Sequence, residues 1–80
     1  MFVKGLCYKL VYCRINDTMC GMIVRFRETK AGMQLGTVVF VPAGTRSGWR
    51  VGDEYLVMCA MDFEWVEISE EESLLYTLAM

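Results

Sequence analysis

One short window limits the fold of this chain more than any other: from Cys20 to Arg27 the side chains alternate by parity. Cys20, Met22, Val24 and Phe26 share one side of an extended backbone, and Arg25 and Arg27 share the other. A period of two is the signature of a strand, and this one predicts a sheet with one buried and one solvated face. The strand is expected over 19–28. Behind it, residues 2–15 read as a long strand whose two parities are both mostly apolar, the pattern of a central strand or of a subunit contact. Gly5 is placed to mark a bend or bulge within it.

Ahead of it, Glu28 to Gly32 predict a hairpin connection of the longer type, with Gly32 available for a positive φ. A third strand is expected over 33–41, carrying the β-branched run Thr37-Val38-Val39 and ending at Pro42, which cannot donate to a ladder. Val51-Gly52-Asp53-Glu54 reads as a turn, followed by strands over 55–61 and 64–68. The period then changes. Ser69-Glu70-Glu71-Glu72 has the form of a capping box, and the three glutamates complement the dipole of a helix over 70–78. Leu74, Leu75 and Leu78 recur at helical spacing and are expected to dock that short helix on the sheet.

These elements predict a mainly β domain spanning 1–80: a small five-stranded barrel of SH3-like or OB-like type with a short C-terminal α-helix. Val51 to Val57, followed by Val66-Glu67-Ile68, resembles a strand pairing of SH3-like barrels, where a Gly-Asp turn opens a strand and a short hairpin leads to the next. Eighty residues leave room for one domain, yet 55% of them are hydrophobic. That share exceeds what one small core needs. It predicts strands buried on both faces or a self-association surface.

Charge is divided along the chain. Positions 1–50 hold all eight bases against Asp17 and Glu28, a net +6, whereas positions 51–80 hold eight acids and no base, a net −8. Either folding mixes these charges, or the domain presents a basic face and an acidic face to different partners. No stretch is long and apolar enough for a membrane span, and the N-terminal segment lacks a cleavage site, so a cytoplasmic protein without a membrane partner is expected. Cys7, Cys13, Cys20 and Cys59 lie in or beside apolar stretches, the setting of reduced packing thiols. Asn16-Asp17-Thr18 predicts a short turn.

The chain contains no histidine. That removes the Ser-His and Cys-His nucleophile pairs, and no C-x-x-C suggests zinc. The acid pairs Asp53/Glu54 and Asp62/Glu64 fall at predicted turns, where acids are ordinarily solvated. Neither catalysis, a metal nor a cofactor is expected. The chemistry left is contact chemistry. Arg46, Trp49 and Arg50 lie together in a loop, Arg25 and Arg27 share a strand face, and Trp65 adds a second ring near acids; these six are the candidate partner-binding residues. The expectation is a non-enzymatic protein–protein interaction module, a small regulator or inhibitor that resembles compact phage-encoded viral inhibitors by analogy. One alternative is a single-stranded nucleic-acid binder using Arg25, Arg27, Lys30, Arg46, Trp49 and Arg50. Another is capture of a small anionic ligand or nucleotide by the loop 44–48.

Overall fold

A computed structural model describes residues 2–14, 20–43, 48–55 and 63–78. Its organising unit is a hairpin. Strand β2 (Ile23–Lys30) pairs antiparallel with β3 (Met33–Phe40), from Lys30↔Met33 at the turn to Ile23↔Phe40 at the open end. Only Ala31 and Gly32 connect them, with φ of 52° and 79°. Two successive positive φ values match the twist of the flanking strands. The longer loop expected from Glu28 onward is therefore replaced by continued pairing through Glu28, Thr29 and Lys30. A bulge between Phe26 and Glu28 accommodates the extra residue.

Strand β1 (Cys7–Cys13) lies on the other side of β2 and is central, as its two apolar parities suggest. It begins five residues later than expected because Val3 to Leu6 form a turn. The Leu6 N–H donates to the Val3 carbonyl at 3.1 Å, and Gly5 takes the positive φ (87°) at the third position. The Gly5 N–H donates to the Phe26 carbonyl, and the Phe26 N–H to the Leu6 carbonyl, both at 2.9 Å. This clamp returns Phe2 over the sheet.

Strand β4 (Glu54–Tyr55) is a two-residue segment against the outer edge of β3, and β5 (Phe63–Ile68) runs antiparallel to β1. The turn at Val51-Gly52 leads into β4 as expected. The Asp53 N–H donates to the Arg50 carbonyl at 3.0 Å, with Gly52 at φ 97°. Four strands of six to eight residues thus form an antiparallel sheet in the order β3-β2-β1-β5, extended past β3 by the short β4.

The sheet is open, which corrects the expected five-stranded barrel. The segments expected to form a closing hairpin, 55–61 and 64–68, begin and end at opposite edges: Glu54–Tyr55 beside β3 and Phe63–Ile68 beside β1. Among the described residues no ladder joins those edges. Residues 56–62, which carry most of the expected fourth strand, lie outside the described residues, as do the Asn16-Asp17-Thr18 turn and positions 44–47.

Both sheet faces are covered, by different means, which corrects the expected solvated face of β2: Ile23, on the same side as Arg25 and Arg27, is fully buried. On one, Tyr8, Leu10, Met22, Val24, Phe26 and Val38 are buried together, with Phe2, Trp49, Phe63 and Trp65 packed against them. Phe2 is the centrepiece. Its ring meets Tyr8 edge-on at 4.7 Å, stacks on Phe26 at 5.8 Å and meets Trp65 edge-on at 6.5 Å. The Val3 N–H donates to the Tyr8 hydroxyl at 2.7 Å, so the same residue holds the returning chain. On the other face, a smaller cluster of Cys7, Ile23 and Ile68 lies beneath helix α1 (Glu70–Leu78).

The helix occupies the expected span. Ser69 caps it, its Oγ accepting the Glu72 N–H at 3.1 Å. The return bond of a full capping box, from the Ser69 N–H to the Glu72 carboxylate, is not made among the described residues.

Candidate functional site

Which side of α1 meets the sheet decides what the molecule offers to a partner. Ser73 is buried, with its Oγ 3.5 Å from Cys7 Sγ. Tyr76 packs beside it on the same cluster. Its ring lies 5.2 Å from that of Phe40, its hydroxyl accepts a hydrogen bond from Lys9 Nζ at 2.9 Å, and the same ammonium sits 5.0 Å from the ring centre. A small serine lets the helix axis approach the sheet closely, and a tyrosine three residues on reaches down beside it.

At about 100° per residue, this contact turns Glu71, Leu74, Leu75 and Leu78 to the opposite side. Leu74, Leu75 and Leu78 are 53%, 67% and 79% exposed. The expectation that these leucines dock the helix is therefore corrected. The apolar stripe at i, i+3, i+4 and i+7 faces solvent, with the acids Glu70, Glu71 and Glu72 at its N-terminal end.

The surface is indented beside the helix. One depression, of about 340 Å³, is lined by Arg25, Thr37, Val39, Val51, Ser73 and Leu74, among others. A second, of about 300 Å³, is lined by Lys4, Gly5, Arg25, Phe26, Arg27 and Glu28. Arg25 is common to both, so the largely apolar depression on the helix flank adjoins one lined by three cations and Glu28. The β2 bulge and the Gly5 turn bring Lys4 to Arg25 and Arg27 from a distant part of the sequence. Arg27 is partly offset by Glu54, its Nη1 lying 3.7 Å from the carboxylate. Among the described residues no carboxylate stands within ion-pair distance of Lys4 or Arg25.

The six residues predicted for partner binding do not form one surface. Arg25 and Arg27 are both exposed on β2 and line a common depression. Arg50 is exposed, and its N–H donates to Asp53 Oδ2 at 2.9 Å within the turn. Trp49, expected to offer its ring to a partner from the loop with Arg46 and Arg50, is half-buried and packs against the core cluster that contains Leu10 and Phe26. Trp65, expected as a second contact ring near acids, does the same and with Phe63 packs against the ring-lined core. Arg46 and most of the 44–48 loop lie outside the described residues.

The sequence reading missed Lys4 and the outward stripe of α1. Lys4 adjoins Gly5, already marked as a bend, and that bend is what carries it to β2. For the helix the signal was ambiguous: Ser73 with Tyr76 and the leucine stripe are both helical faces, and the leucines are the more hydrophobic one. No helix among the described residues is long and apolar enough to cross a membrane. The chain matches no protein-family model, no curated protein and no solved structure.

Proposed function

We propose that this chain is a non-enzymatic protein–protein interaction module, a small regulator or inhibitor acting in the cytoplasm, whose contact surface is the outward side of α1. The observation that carries the reading is the exposure of Leu74, Leu75 and Leu78 on a helix that already has a different docked side. Isolated surface leucines are ordinary, but three on one stripe form a contiguous apolar patch of the kind that marks a contact site. The free thiols of Cys7 and Cys20 suit a reducing compartment. The missing histidine and the absence of a recognisable nucleophile arrangement in the sequence support a role in binding.

A photoreactive phenylalanine analogue placed at position 75, with a control at position 30 on the hairpin tip, tests this in cells. Position 75 is expected to give a discrete protein adduct and position 30 none. A diffuse smear at both positions would rule out a specific surface on α1.

Single-stranded nucleic-acid binding is the second reading, and the cationic depression at Lys4, Arg25 and Arg27 favours it. The inward packing of Trp49 weighs against it, because a sequence-tolerant strand binder needs exposed rings on which bases stack. A labelled oligonucleotide titrated at two salt concentrations separates the two readings, since phosphate contacts weaken steeply with salt.

A further inference from the structure

We infer that the partner of the α1 surface is a second copy of this chain, and that two copies dock reciprocally, the acid-and-leucine stripe of each helix entering the Arg25 groove of the other. The inference rests on the reading of α1 as the contact surface and names its occupant.

The surface is self-complementary. The ridge presents Glu71, Leu75 and Leu78, with Glu70 and Glu72 flanking its start. The groove beside it presents Val39, Val51 and Leu74, and next to them Arg25 with Lys4; Arg27 and Glu28 lie at the same end, with Arg27 already paired to Glu54. Each has an apolar part beside a charged part, acidic on the ridge and predominantly basic in the groove. Ridge and groove are also neighbours on one side of the sheet, since Leu74 on α1 is itself a wall of the groove.

A two-fold dimer needs this arrangement: each copy contributes the same patch, and residue i of one meets residue j of the other twice over. Two such contacts bury six leucines and bring both acidic helix starts to cationic depressions where Lys4 and Arg25 have no carboxylate of their own within ion-pair distance among the described residues. The along-chain split of +6 and −8 then acts between molecules. The basic segment of one copy faces the acidic segment of the other.

Sedimentation velocity over a concentration series up to about 1 mM, the weak limit of specific contacts, reads the assembly directly. The full chain is expected to shift from monomer to dimer, and Leu75→Glu/Leu78→Glu to remain monomeric with an unchanged circular dichroism spectrum. Charge variants test the docking mode. Lys4→Glu/Arg25→Glu and Glu70→Lys/Glu71→Lys are each expected to dimerise at least about tenfold more weakly than wild type, by placing like charges opposite one another. Mixed together, they regain a hetero-dimer, because the reversed groove of one now meets the reversed helix of the other while the second contact keeps its native charges.

A wild type that stays monomeric throughout overturns the inference. So does a dimer whose charge variants fail to complement each other on mixing, since it would use another surface. Failure of this proposal remains distinct from failure of the broader one. A monomeric protein that still gives a discrete adduct with a different protein from position 75 keeps α1 as the contact surface and loses only the second copy.

Discussion

The two faces of the sheet are covered in contrasting ways. On one, rings from four separate segments interlock: Phe2, Tyr8, Phe26 and Trp65 meet within 6.5 Å of one another through Phe2. On the other, a nine-residue helix rests on three buried side chains through Ser73 and Tyr76 and keeps its leucines outside. The first face spends its apolar side chains on the core. The second covers its core with a serine, a tyrosine and a lysine stem. A small domain has too little interior for all its hydrophobic residues; Val3, Val11, Tyr12, Met33, Val51 and Val66 are exposed singly, and the most exposed of the surplus, Leu74, Leu75 and Leu78, lie together on one helix.

Deep truncation on the ring face is expected to have the largest effect. Phe26→Ala removes a buried ring stacked on Phe2 and leaves a cavity between β1 and β3. The loss should be about 3–5 kcal/mol, read by urea denaturation. A loss below about 1 kcal/mol would mean that the rings contribute little and that the contrast between the faces is false.

On the helix face the sensitive change is enlargement. Ser73→Leu puts a bulky side chain where the helix stands closest to Cys7, and overpacking of this kind costs about 1–3 kcal/mol. The variant should also loosen Tyr76 from Phe40 and Lys9, seen as a change in tyrosine near-ultraviolet dichroism. A neutral Ser73→Leu would show that the helix is not seated through this residue.

The smallest effect belongs to the stripe. Leu78→Ser should change stability by no more than about 0.5 kcal/mol when measured on dilute protein, as expected for an exposed position. A large loss there would return the leucines to the core and remove the basis for a contact surface on α1.

Local rules made much of this fold readable. Parity placed Met22, Val24 and Phe26 inside and Arg25 and Arg27 outside; Ser69 and its glutamates located the helix; Gly5 and Gly52 located two turns. What escaped the sequence was long-range. Nothing in residues 55–68 says that Glu54–Tyr55 and Phe63–Ile68 take opposite edges of the sheet, because strand order is set by pairing partners far away in the chain. Nor does helical spacing say which of two faces will dock. The leucine stripe has the greater transfer free energy, but the Ser69 cap immediately after β5 fixes how the helix starts over the sheet, and Ser73 and Tyr76 are the residues turned toward it. The contact surface was misassigned for the same reason: Trp49 and Trp65 look like exposed anchors until their core partners are known.

The two-residue connection at Ala31-Gly32 has a consequence for the time course of folding. Hairpins with tight turns close in about 1–10 μs, before sequence-distant strands find each other. The β2–β3 pair requires almost no loop closure, whereas β5 must find β1 across well over half the chain. The hairpin is therefore the natural first structure. Ala31, a residue with a Cβ in a left-handed conformation, raises the barrier to that first step. Ala31→Gly, which removes that Cβ, is therefore expected to speed closure of the hairpin on which the other strands assemble.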